Sequence, residues 1–246
     1  MRLLRAGDYK LKAFGPKNML EKNTINLKKD LVVSLIIGEV LSWLIFFLAQ
    51  VVLPDNLVEQ YSQFITFLPI YFPLLCAFCL YLAFLMNKVL GFIYQIAKFV
   101  LVGGLNTLMD WGVLAFLMYF FDKSLDVQED DRIIKVFGLA LTFYVLFKSI
   151  SFVVATVNSY LWNKFWTFTR KTKETSTKEF MQFMIITILG FLINVGVATG
   201  IFANVEPIGS LNSEQWGMLA AVIATMFSMV WNFLGYKFIV FDEKKI

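Results

Sequence analysis

Phe99-Val100-Leu101-Val102-Gly103-Gly104-Leu105-Asn106-Thr107-Leu108-Met109-Asp110 reappears in outline as Phe183-Met184-Ile185-Ile186-Thr187-Ile188-Leu189-Gly190-Phe191-Leu192-Ile193-Asn194. Each stretch lies in a block long and apolar enough to span a bilayer. Each is followed by a second apolar block with a near-identical end, Asn163-Lys164-Phe165-Trp166-Thr167-Phe168 and Tyr236-Lys237-Phe238-Ile239-Val240-Phe241. A duplicated helix pair in a membrane is a common plan for a small transporter, whose site lies where the copies meet. Polar residues shared by the copies are therefore the first candidates for function.

Composition points the same way. Hydrophobic residues make up 59% of the chain and charged residues 16%, against roughly a quarter charged in ordinary globular domains. The apolar residues come in long blocks, which excludes a soluble protein with a large core. Histidine is absent, and with it the commonest general base and metal ligand. Cys76 and Cys79 sit within an apolar block without a thioredoxin-like setting and read as buried, unreactive thiols. The net charge of +4 is no sign of nucleic-acid binding, because the basic residues flank apolar spans.

The expected fold is an all-α, polytopic membrane bundle of six transmembrane helices, the last four forming two repeated pairs. Spans are read near Leu31–Leu53, Phe64–Met86, Ile93–Phe121, a fourth ending at Asn163, Phe180–Ala203 and Trp216–Tyr236. Each holds the ~20 apolar residues needed to cross ~30 Å of hydrocarbon. Pro69 and Pro73 are placed near the start of the second span, where proline is best tolerated. Three units follow: a basic segment 1–30, an N-terminal helix pair 31–90, and a four-helix domain 91–243. No secretory leader is read in the first 30 residues, which are an interfacial helix against anionic lipid or a disordered tail. Basic and basic-poor loops alternate, the latter including Glu129-Asp130-Asp131, which reads as a solvated outer loop. The bias places both termini in the cytoplasm of a cell-membrane protein. The apolar segment 133–147 is either the start of one long tilted helix running to 168 or a surface element. The continuous helix is favoured, with Lys148 snorkelling to the outer face.

Gly103, Asn106 and Asp110 share one helix face. Asp110 lies ~18 Å beyond Lys98 by helix rise. A carboxylate at that depth costs at least ~2.5–3.5 kcal/mol on insertion scales, so it needs a partner, a hydrated cavity or a proton. It reads either as a proton-coupling or sugar-contacting acid or as helix glue. The second copy offers Thr187, Gly190 and Asn194 in its place, polar but uncharged. Asn158, Ser159 and Asn163 line the fourth span, and Ser228 and Asn232 the sixth. Lys164 and Lys237 stand among aromatics at the two ends. This is an interfacial belt, or a cationic clamp for a lipid phosphate with asparagines one or two turns deeper for a sugar. Glu39 is a second intramembrane acid outside the duplication. Gly103, Gly104, Gly190 and Gly196 are read as sites of close helix approach.

Val102-Gly103-Gly104-Leu105-Asn106-Thr107 followed by Asp110, with Asn163-Lys164-Phe165-Trp166-Thr167-Phe168 and the ending at Phe241, resembles the GtrA-like family over roughly residues 94–243. The resemblance implies a flippase carrying a polyprenyl-phosphate-linked monosaccharide, such as one on undecaprenyl phosphate, from the cytoplasmic to the outer leaflet. A separate membrane glycosyltransferase then uses the sugar on O-antigen, teichoic acid or a related polymer. It maps the family's polar first-helix positions onto Asn106 and Asp110, and its basic residue after the second helix onto Lys164. The expected substrate-binding set is Asn106, Asp110, Asn158, Asn163, Lys164, Asn194, Asn232 and Lys237. No catalytic residue, cofactor or metal is expected, since no nucleophile–base pair or nucleotide-sugar domain is present. Expected partners are the lipid-linked sugar, membrane lipid, the glycosyltransferase and a further copy of the chain. The alternative is a non-transporting subunit that stabilises or recruits the glycosyltransferase. An enzyme charging the lipid and an ion channel fit less well.

Overall fold

The protein is described from a computed structural model covering residues 26–126, 131–136, 139–169, 177–209 and 212–242. The greater part of the basic N-terminal segment, and Glu129-Asp130, lie outside the described residues. Six helices are long and apolar enough to cross a membrane. They are α1 (Leu27–Val52), α3 (Ser62–Met86), α4 (Ile93–Leu125), α5 (Phe143–Trp162), α6 (Thr177–Asn204) and α7 (Ser213–Gly235), with a short α2 (Asp55–Gln60) before α3. Their outward surfaces are apolar, as Phe64, Phe67, Ile70, Leu74 and Phe78 along α3 illustrate. Water would penalise such a surface and lipid does not.

Local sequence sets the ends. The Asn26 side chain accepts from the Lys29 backbone N–H and starts α1. Asn212 and Gln215 form a reciprocal capping box on α7. Asp126 closes α4 in the left-handed conformation, φ 53°. Because α3 begins at Ser62, Pro69 and Pro73 lie inside it rather than near its start. Pro73 has no N–H to give the Pro69 carbonyl, a gap that protein packing tolerates in a transmembrane helix.

The continuous helix expected from 133 to 168 does not form. Residues 132–136 (β1) and 139–142 (β2) pair antiparallel, with Arg132 opposite Thr142 and Val136 opposite Leu139. The β-branched Ile133, Ile134 and Val136 favour extended backbone. The helix starts only at Phe143, whose N–H donates to the Asp131 carbonyl.

Two cores hold the bundle. In the first, Ile37, Leu41, Leu80, Val102, Leu105 and Trp166 join α1, α3, α4 and the turn Asn163–Thr167 that follows α5. The closest approach is at Gly38, where an added Cβ would lie 2.6 Å from Pro73 Cα and 3.2 Å from Cys76 Sγ. Backbone cannot yield as a side-chain tip can. Gly38→Ala is therefore expected to destabilise by about 1–3 kcal/mol, read as a lower thermal midpoint in detergent. Cys76 is buried there, but Cys79 is exposed on the outside of α3, contrary to the expectation for both thiols. An ionic lock reinforces this core. Asp30, in the first turn of α1, accepts from Lys98 Nζ at 2.6 Å, Tyr94 OH at 2.9 Å and Trp166 Nε1 at 2.9 Å. Acid and lysine are both buried, so α1 is fastened to α4 and to the turn after α5 at the face of the bundle where the basic residues gather.

Candidate functional site

The second core is where the two copies meet. Aligned on Phe99 and Phe183, and on Phe168 and Phe241, its ring contacts occur in matched pairs. Phe99 meets Phe168 and Phe233 at 6.4 and 5.5 Å between centroids. Phe183 meets Phe241 and Tyr160, the corresponding residues, at 6.3 and 5.4 Å. Phe168–Phe233 at 5.8 Å is matched by Phe241–Tyr160 at 6.1 Å. Phe168 and Phe241 stack on each other at 5.2 Å, as two residues on a twofold axis must. Both second helices also end alike, in a π-turn (Asn163–Thr167 and Tyr236–Val240) closed by Phe168 N–H to Asn163 O and Phe241 N–H to Tyr236 O, each 2.8 Å. The copies run in the same direction through the membrane, so the pseudo-twofold lies along the membrane normal. Among the described residues, contact between the copies is concentrated at this basic end; elsewhere α4 packs on α5 and α6 on α7.

The two lysines of the expected clamp differ sharply. Lys164 is fully enclosed, 0% exposed, and pairs with Glu179 of α6 at 2.9 Å. Tyr160, one turn before Lys164, also donates to Glu179, and Lys164 Nζ donates to the Tyr160 oxygen at 3.3 Å. Lys164 thus bridges the copies and is closed off from the protein surface. Lys237 is half-buried, with its ammonium 5.4 Å from the Phe233 ring centroid and 5.7 Å from that of Phe238. Among the described residues no carboxylate pairs with it.

Deeper in the membrane, Asp110 has a partner that the sequence reading assigned elsewhere. Lys148 does not snorkel away; its ammonium donates to Asp110 Oδ2, and Ser151 Oγ donates to Oδ1 at 2.7 Å. The pair is only partly covered, the side chains being 39% (Lys148) and 20% (Asp110) exposed. In the other copy Asn194 Nδ2 donates to Thr225 Oγ1 at 3.2 Å. Asp110 and Asn194 therefore bond across their own helix pairs and not toward each other. Asn232 also faces its own pair, its amide against Gly190 where a Cβ would come within 2.3 Å. Asp110, Asn194 and Asn232 thus face seams within their own pairs and not a passage between the copies. Four candidates carry a buried polar atom without a partner: Asn106 Oδ1, Asn158 Nδ2, Asn163 Oδ1 and Asn232 Oδ1. Inside a bilayer such atoms are costly until water or a polar ligand meets them. Glu39 accepts from Trp43 Nε1 at 2.8 Å, and among the described residues no cation reaches it. Gly103, Gly104 and Gly196 face open space, so close approach is confined to Gly190 among the four glycines named.

Sequence reasoning missed Glu179, Tyr160, Lys148 and the Asp30 lock. One signal was available. Tyr94/Lys98, Tyr160/Lys164 and Phe233/Lys237 repeat an aromatic–lysine spacing of four, which places each ring and ammonium on one helix face.

No solved structure matches the chain. The family described as GtrA/DPMS, transmembrane domain, matches residues 98–241. The match takes in α4 from Lys98 onward and α5 to α7 with both π-turns, and leaves out α1 to α3. It connects the protein with membrane glycosylation. Since more than half of its length lies in that match, the chain belongs to the GtrA/DPMS transmembrane-domain family.

Proposed function

We propose that the protein moves a polyprenyl-phosphate-linked monosaccharide from the cytoplasmic to the outer leaflet, where a glycosyltransferase adds the sugar to a cell-surface polymer. The carrying observation is the set of orphaned amide atoms on Asn106, Asn158, Asn163 and Asn232 within membrane-spanning helices. A sugar is dense in hydroxyls that both donate and accept, which suits amides presenting a free oxygen at one position and a free nitrogen at another. The twofold arrangement of the pairs supports the reading, because duplicated helix pairs about one axis are a recurring plan of small transporters, and here each pair carries polar groups across its own interface. The basic face is then cytoplasmic. The prenyl tail stays in lipid, and no covalent step is involved. Liposomes containing the purified chain and a labelled polyprenyl-phosphate sugar test it. The protein alone should make the inner-leaflet label accessible from outside. No movement in a folded preparation would leave a subunit that supports a glycosyltransferase without transporting.

A further inference from the structure

The aromatic core has a twofold, and the charges around it break that symmetry in one place. Where α5 meets α6, Lys164 faces the Glu179 carboxylate and the Tyr160 hydroxyl. The symmetric position is where α7 meets α4. By register Lys237 is the counterpart of Lys164, each standing one residue into a π-turn. Gln95, four residues before Phe99, stands where Glu179 stands four before Phe183. Phe233 stands for Tyr160. The carboxylate has become an amide, whose Nε2 donates to the Thr167 carbonyl at 3.3 Å, and the hydroxyl has become a bare ring. The cation alone is conserved between the copies.

We infer that Lys237 and Gln95 form an anion site in which a phosphate group takes the place held by the Glu179 carboxylate in the other copy. A half-buried ammonium flanked by two phenyl rings has shed part of its hydration, and its charge calls for a counter-anion. Tetrahedral phosphate offers one oxygen to the ammonium and another to an amide N–H. The position lies at the end of the helices where the basic residues gather, the end that loop charge assigns to the cytoplasmic face. The site deepens the proposed translocation, since it gives the phosphate of the carried lipid a specific seat. It also reduces the expected two-lysine clamp to one lysine, with Lys164 a strut.

The test is binding to the purified full chain in detergent, read by native mass spectrometry with three probes: polyprenyl phosphate, uncharged polyprenol and inorganic phosphate. Wild type should retain polyprenyl phosphate over polyprenol. Lys237→Gln should weaken that retention about tenfold or more, and Lys237→Arg much less. The decisive variant is Gln95→Glu, which restores the missing internal carboxylate. It should fill the site from within, keep the gel-filtration profile of wild type and bind polyprenyl phosphate at least about tenfold more weakly. Competition by inorganic phosphate would assign the site to a soluble phosphate, and lack of competition to the lipid-borne one. Folded Gln95→Glu and Lys237→Gln proteins that bind like wild type would overturn the inference. Because binding is read without transport, an immobile sugar-lipid in liposomes would sink the flippase reading and leave the phosphate site standing.

Discussion

Glu179→Gln should lower the thermal midpoint of the detergent-solubilised protein by roughly 10 °C, from a loss of about 3–5 kcal/mol. Lys164 is 0% exposed and Glu179 is buried with it. Neutralising the acid takes the Glu179 counter-charge away from an ammonium that is itself 0% exposed. The cost is mainly that lost pairing of a buried charge, so removing the charge together with the polar groups of Glu179 and Tyr160 should recover most of it. Lys164→Met combined with Glu179→Leu and Tyr160→Phe should melt close to wild type, since packed apolar groups often replace a buried ion pair without loss. Phe233 already holds a phenyl ring at the symmetric position, so the ring change is compatible with this packing. Differential scanning fluorimetry reads both variants. An unchanged midpoint for Glu179→Gln would show that the contact is hydrated and that Lys164 remains available to a headgroup.

The six spans were legible because length and hydropathy are global properties that no single contact can reverse. The duplication was legible too, since Phe99 and Phe183, like Phe168 and Phe241, serve as paired anchors of one packed cluster. Segment 133–147 was not. An apolar run with β-branched residues satisfies strand and helix patterns alike, and only pairing between β1 and β2 decides it. Ion-pair partners were illegible for another reason. Lys148 near a span end reads as a snorkelling cation, and Glu179 at a span start reads as a solvated acid, until the helix rotations are known. Rotation also separates Gly38, pressed on Pro73, from Gly103 and Gly104, which touch nothing. The candidate polar residues were correctly placed inside the helices, yet their convergence was not, because a repeat specifies which residues correspond and not which interface they face.

Asp110→Asn should reduce sugar-lipid movement about tenfold or more while the protein continues to express and fold. Removing a charged hydrogen-bonding partner costs about 1.5–3 kcal/mol wherever that partner contacts substrate or its counter-ion. The Asp110–Lys148 pair is the one ion pair among the described residues that is substantially open to its surroundings. Its exposure matters because hydrocarbon would not tolerate it. An ammonium 39% exposed to lipid and stripped of its carboxylate would cost at least ~2.5–3.5 kcal/mol, whereas a water-filled cleft would absorb the change. A melting point for Asp110→Asn near that of wild type therefore marks the seam as hydrated, which transport of a sugar requires. The double variant Asp110→Asn with Lys148→Gln removes both charges and any repulsion or desolvation that the single change leaves behind. If the pair serves the sugar, the double variant stays as inactive as Asp110→Asn. If the pair only holds α4 to α5, the double variant regains transport, and the acid is reduced to a strut like Glu179.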